Sequence, residues 1–343
     1  MLYYYALLYY NINLKQIKTM KKIHLISTLI GLLAFSTISK ADLKVVTSIK
    51  PIHSLASYIM DGVGSPGLIV DGYNSPHSFQ LKPSHAKMLE QADIIFWIGE
   101  DLENFLEKPL ATIAKKAEKI ELLEIKGIKK LKFRERNIFE EHEGHDDHGD
   151  DAKKEEHDDH GHDAKKEEHD DHDDHGHGEY DPHIWLDPIN AKIILNEITE
   201  HLIENDSKNT STYNSNLTKA LAKIDKLIID VITETNTDLS YVVFHDAYQY
   251  YENRFNVNIL GAMTVNPDVM PGAEQIHEIH EVIEHDNVSC ILSEPQFNPD
   301  IIKSIAKDTS VKTGVLDPLG ANLKSGKDLY FDLIRNMSAS FNC

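Results

Sequence analysis

Residues 217–235 read LTKALAKIDKLIIDVITET, and this stretch decides the architecture. Leu217, Leu221, Ile224, Ile228, Val231 and Thr235 recur at alternating steps of four and three, the repeat of one helix face. No Gly or Pro interrupts residues 207–237, so a single long helix is expected there. Short β-branched or aromatic runs lie on both sides of it. KVVTSI (44–49), GLIV (67–70) and IIFWI (94–98) come before; YVVF (241–244), VSCIL (288–292) and VKTGVL (311–316) come after. Turn residues or helical stretches separate these runs, which is the pattern of parallel strands with helical crossovers. Asp187-Pro188 is a helix start, and Ile194, Leu195, Ile198 and Leu202 follow along one face. The expected fold class is α/β: lobes 42–206 and 239–343, each with a parallel sheet, joined by the long helix 207–238. One large doubly wound sheet is the alternative, and the uninterrupted helix argues against it.

The composition narrows the function classes. The chain has 343 residues, 41% of them apolar, enough for two domains with sizeable cores. Its 56 acids against 35 bases give a formal net charge of -21. That balance argues against a nucleic-acid partner or an anionic membrane surface, which need basic patches. It leaves cations as natural ligands. Cys290 and Cys343 are the only cysteines, which excludes cysteine zinc ribbons, iron–sulfur clusters and CxxC redox motifs.

The N-terminus reads as an export signal. Residues 1–41 carry five lysines and no acid; Met20-Lys21-Lys22 opens a basic region and the apolar stretch 23–38 follows. Ser39 and Ala41 are small residues suited to cleavage, and the apolar run is shorter than the ~20 residues of a spanning helix. Residues 1–19 fit no part of a signal, so Met20 is an alternative start. The expectation is a soluble periplasmic protein beginning near Asp42. In that oxidising compartment, Cys290 in an apolar run and Cys343 at the last position read as a disulfide rather than two free thiols.

A low-complexity block interrupts the first lobe. Residues 140–181 hold ten histidines and twenty acids, and DAKKEEHDDH occurs at 151–160 and again at 163–172. Such a composition cannot bury a core and is expected to be disordered. Interleaved imidazoles and carboxylates suit weak metal buffering. They do not suit a tight site, because ordering a disordered chain around an ion costs entropy.

Outside the signal and this block stand His53, His77, His85, His183, His201, His245, His277, His280 and His285. Three have informative contexts. His245 follows a strand at its carboxyl end, where α/β sheets bind ligands. His77 lies in the turn-rich DGYNSPH, and His183 lies in DPHIWLD. Asp317 and Glu294 also end strands. Three neutral imidazoles would leave a fourth position for water or a carboxylate, although each histidine taken alone reads more readily as a surface or satisfied residue than as a ligand. The rival cluster His277, His280 and His285 has steps of three and five, not the i, i+4 pair of a metalloprotease helix. It reads as a polar helix face.

These contexts together resemble the cluster A-1 metal-binding proteins of ABC importers, on their zinc-uptake branch. The matching stretches are LKVVTSIKPIHSLAS, NSPHSFQLKPS, the His/Asp-rich insert, PHIWLDP, VVFHDAYQYYENRF, VNPDVMPGAEQIHEI, CILSEPQFNP and GVLDPLG. The resemblance implies a rigid linking helix, with metal held in the cleft between the lobes. It implies His77, His183 and His245 as the metal ligands, and its zinc-type members often bridge a matching cysteine pair. Manganese-type relatives place a carboxylate at the position of His245 and use the aspartate matching Asp317, so His245 favours zinc. Some zinc-type members have a glutamate where Pro76 stands here, which leaves water or Asp317 as the fourth ligand. The expected function is capture of Zn²⁺ as transported cargo. Delivery would be by a monomer to a membrane permease with a cytoplasmic ATPase, without catalysis. Alternatives are the same architecture serving manganese or iron, a periplasmic zinc hydrolase, and a zinc buffer.

Overall fold

The computed structural model describes residues 42–134, 138, 178–264, 267, 271–309 and 311–343. The expected signal and nearly all of the histidine-rich block lie outside the described residues. The first sheet holds β1 (Val45–Ile49), β2 (Gly67–Val70), β3 (Ile94–Trp97) and β4 (Glu118–Glu121) in the order β2-β1-β3-β4. The second holds β5 (Ser240–His245), β6 (Asn258–Thr264), β7 (Cys290–Ser293) and β8 (Lys312–Val315) in the order β6-β5-β7-β8. The pairings among these eight strands are all parallel, and the two sheets repeat one winding. Helices cover both faces of such sheets, so β1 and β3 are buried end to end. β4 and β6 escaped the sequence reading. β4 is the polar edge strand EKIE, and β6 carries Gly261 inside a run that starts with Asn258.

The connecting helices are α1 (Lys50–Ile59), α2 (Pro83–Gln91), α3 (Glu100–Thr112), α4 (Pro188–Asn205), α5 (Thr210–Glu234), α6 (Gln249–Phe255), α7 (Ala273–His285), α8 (Asp300–Asp308) and α9 (Leu329–Ser340). α4 starts as expected: Pro188 is its first residue and the Asp187 carboxylate caps the Ile189 N–H at 2.8 Å. α5 is the long helix between the sheets, preceded by a 3₁₀ turn over 207–209. Its most buried line is Tyr213, Asn216, Ala220, Ile224, Leu227 and Val231, with Leu217, Leu221 and Ile228 at the shoulder. The line is shifted from the aliphatic stripe for two reasons. Ala220 is small enough for close helix packing, and the Asn216 side chain donates to the carbonyls of Ile59 and Asp61, at 2.9 Å each, closing the end of α1. None of the helices among the described residues is long and apolar enough to cross a membrane.

One hydrophobic core runs through both sheets by way of α4, α5 and α9. A smaller cluster, with Phe244, Ile279 and Ile291, sits on the outer face of the second sheet. The Cys290–Cys343 disulfide ties the start of β7 to the chain end, with the Cα atoms 6.5 Å apart. By chain entropy such a bridge contributes about 4 kcal/mol.

α3 holds a local departure from helix geometry at Glu103 (φ -119°, ψ 51°). This bend turns its carboxylate back to accept the N–H groups of Ile98 at 2.9 Å and Gly99 at 3.0 Å. The side chain is fully buried, and burial pushes its carboxyl up to about 7.

Candidate metal centre

In each sheet the strand order reverses between the first strand and its neighbours, leaving a crevice at the carboxyl ends. His245 is the last residue of β5, and Glu294 directly follows the adjacent β7. The Glu294 carboxylate lies 2.6 Å from His245 Nδ1. His183 stands just before a 3₁₀ turn over Ile184–Leu186. Its backbone N–H and its Nδ1 both bond the Asp181 carboxylate, at 2.9 and 2.7 Å. With each Nδ1 turned to a carboxylate, the two Nε2 atoms face each other at 3.4 Å. Two nitrogens about 2.05 Å from a tetrahedral zinc would be about 3.3 Å apart.

His77 completes the group from the loop after β2, where its N–H bonds the Ser75 hydroxyl at 3.2 Å. Ring centroids are 5.5 Å from His77 to His183, 5.7 Å to His245, and 5.2 Å between the latter two. One nitrogen from each lies within 4.8 Å of the others. They border a cavity of about 10 Å³ walled by Trp185, Phe297 and Leu319. That is room for one water or one ion. His183 and His245 are buried and His77 half-buried.

Burial, with the charge of His245 nearby, keeps the His183 pKa well below the usual imidazole range. Burial also acts to lower that of His245, but Glu294, Asp246 and Asp181 together turn the net shift upward. Burial pushes the Asp181 carboxyl up to about 7.

A further charged group supports the site. Arg134 bonds Asp246 at 2.9 Å and grips Glu252 through both oxygens, at 3.0 and 2.7 Å. Asp246 follows His245, so this cluster fixes the end of β5 from the segment that leads into the histidine-rich block. Burial pushes both carboxyls up to about 7 against the pull of Arg134. The two ends of the block meet here: Lys132 and Tyr180 form an antiparallel bridge, and the Asp181 N–H bonds the Leu131 carbonyl at 2.8 Å. The Tyr250 hydroxyl stitches the same place to the second lobe, donating to the Asp181 carbonyl at 2.8 Å. Arg254 clasps Asp187 at 2.8 and 2.7 Å, and the Trp185 indole donates to the Pro318 carbonyl at 2.9 Å.

The structure therefore brings His77, His183 and His245 together. It leaves Asp317 out of the group: the carboxylate accepts the N–H groups of Leu319, Gly320 and Ala321 at 3.1, 2.9 and 2.6 Å, and the Gln296 amide at 3.1 Å. A fourth-ligand role for Asp317 does not fit that arrangement, because its oxygens already serve the turn. His277 and His285 are exposed on α7, and that helix buries Ile279, Val282 and Ile283 instead. A second group, Glu118, His201 and Glu204, sits at the far end of the first sheet as a half-exposed ion-pair network. Asp181, Arg134 and Glu252 were missed from the sequence. Glu294 was noted only as a strand end, since nothing in the chain order says that β7 lies beside β5.

Two parallel sheets wound alike, with three imidazoles converging between them, define a two-lobed α/β protein with a histidine-lined cleft. Residues 45–342 match the family model described as ZnuA, zinc-uptake complex component A, periplasmic, and the chain belongs to that family. It is 45% identical over 303 residues to the high-affinity zinc uptake system protein ZnuA of Brucella abortus, covering 86% of this chain and 90% of that one. It is 36% identical to the Yersinia pestis protein of the same name, covering 91% and 94%. Among solved structures, a crystal structure of ZnuA superposes with a TM-score of 0.67 at 20% identity, covering 88% of this chain and 100% of that one.

Proposed function

We propose that this protein captures Zn²⁺ in the periplasm and delivers it to the membrane permease of an ABC importer driven by a cytoplasmic ATPase. It acts as a monomer. The family is the binding component of a zinc-uptake system, not an enzyme. In this reading residues 1–41 are an export signal, 42–206 and 239–343 are the lobes, and 207–238 is the linking helix.

The observation that carries the reading is the pair of Nε2 atoms facing each other at 3.4 Å, each ring held by a carboxylate on its other nitrogen. That arrangement fixes the tautomer and the ring direction, and it raises the basicity of the ligand nitrogen. His77 supplies the third ligand and water the fourth. Neutral imidazoles favour a borderline-soft ion such as Zn²⁺ over a hard one such as Mn²⁺. The ion is enclosed by Trp185, Phe297 and Leu319. Release requires a partner to pull the ligands apart, which docking on the permease provides. Titration calorimetry with Zn²⁺ and Mn²⁺ tests the reading: one tight zinc site and much weaker manganese binding are expected, and equal affinities would refute it.

A further inference from the structure

We infer that Lys50 is a positioning residue that sets the metal preference by withholding the Asp317 carboxylate from the ion, an inference that rests on the metal capture proposed above. Lys50 is the first residue of α1, at the carboxyl end of β1, and its side chain is only 3% exposed. A charge buried that deeply needs partners. Its ammonium donates to the carbonyls of Ala321 at 3.1 Å and Leu323 at 2.7 Å. Asp71 lies 3.8 Å away. Burial lowers the lysine pKa, and the charges of Asp71 and then Asp317 oppose that shift.

Both carbonyls belong to the loop after β8, so a residue of the first lobe anchors a loop of the second. The same loop is folded around Asp317. Gly320 takes a left-handed φ of 69° within it, and three successive N–H groups turn inward onto the carboxylate. The result is that Pro318 and Leu319, not the carboxylate, face the ion cavity. Asp317 is two residues beyond the carboxyl end of β8, in the same sheet as His245. A shift of this loop would bring a hard oxygen ligand toward the three imidazoles. Carboxylate oxygen is the donor that manganese and other hard divalent ions require and that a three-imidazole site lacks. The Glu294 carboxylate at the cavity is already engaged by His245 Nδ1, and Lys50, by pinning the loop through two carbonyls, keeps the second carboxylate, Asp317, away from the ion.

The test is Zn²⁺ and Mn²⁺ titration of the exported chain as wild type, Lys50→Met, and Lys50→Met with Asp317→Asn. Lys50→Met should raise Mn²⁺ affinity by roughly tenfold, the scale of a change behind the ligands, and narrow the zinc preference. Adding Asp317→Asn should erase the gain. Unchanged Mn²⁺ affinity in a folded Lys50→Met protein overturns the inference, and so does a gain that survives Asp317→Asn. If Lys50→Met does not fold, Lys50→Gln carries the test, because its shorter neutral amide weakens the hold on the Ala321 and Leu323 carbonyls. A smaller Mn²⁺ gain, again erased by Asp317→Asn, supports the inference, and no gain overturns it. Wild type without tight zinc binding would instead overturn the capture reading and this inference with it.

Discussion

Glu294 and His245 stand at the carboxyl ends of neighbouring strands, and the carboxylate meets the imidazole Nδ1 at 2.6 Å. The contact links β7 to β5 and turns Nε2 into the cleft. Removing it should cost affinity without removing a ligand. Glu294→Ala is expected to weaken zinc binding by roughly 10–100-fold, with Glu294→Gln intermediate because its oxygen still accepts from Nδ1. Zinc competition against a fluorescent chelator measures this.

His245→Ala removes one of three proposed protein ligands. A large loss of zinc affinity is expected, with little change in the metal-free melting temperature. His280→Ala, on α7 outside the cleft, should change neither quantity. An equal loss in both variants, read by calorimetry, would mean that the wrong histidines were chosen.

Glu103 ties stability to pH independently of metal. Its folded pKa is raised from 4.5 to about 7, so the folded state binds the proton more tightly than the unfolded chain. Stability from this group is fully present below the unfolded pKa and is lost as pH rises toward the folded one. The loss between about pH 4.5 and 7 is on the order of 3 kcal/mol at 1.36 kcal/mol per unit. Glu103→Gln should flatten the metal-free unfolding free energy over that range. Parallel curves for variant and wild type would contradict the account.

Much of the fold was legible because buried parallel strands read as apolar runs, as β1, β3, β5 and β7 do; β8 is mostly exposed and showed only through the stretch 311–316 around it. β4 was invisible because an edge strand can be polar, and β6 because Gly261 breaks its pattern. The candidate ligands were legible from local context: a strand end for His245, turn-rich loops for His77 and His183. Their carboxylate partners split by range. Asp181 is two residues from His183 and could have been suspected, whereas Glu294 reaches His245 across 49 positions through strand adjacency alone. The cage around Asp317 was likewise hidden, because turn amides leave no mark in DPLG.

The composition of the block 140–181 predicts that it is dispensable for the tight site, but its last residues are an exception: Tyr180 bridges Lys132 and Asp181 holds His183, so only 140–177 can be spared. The bridge between Lys132 and Tyr180 brings the flanking chain ends together without them. Replacing 140–177 by a short Gly-Ser linker should preserve one tight zinc site and the melting temperature, and remove several weak sites from the calorimetric trace. Loss of the tight site would overturn the separation of capture from buffering.

The most direct test is a crystal structure of the zinc-loaded protein with anomalous data on both sides of the zinc edge. The account predicts one strong zinc peak bonded to Nε2 of His183 and of His245 and to a ring nitrogen of His77, at about 2.0–2.1 Å, with water as the fourth ligand. A peak at the Glu118–His201–Glu204 group with the cleft empty would contradict it.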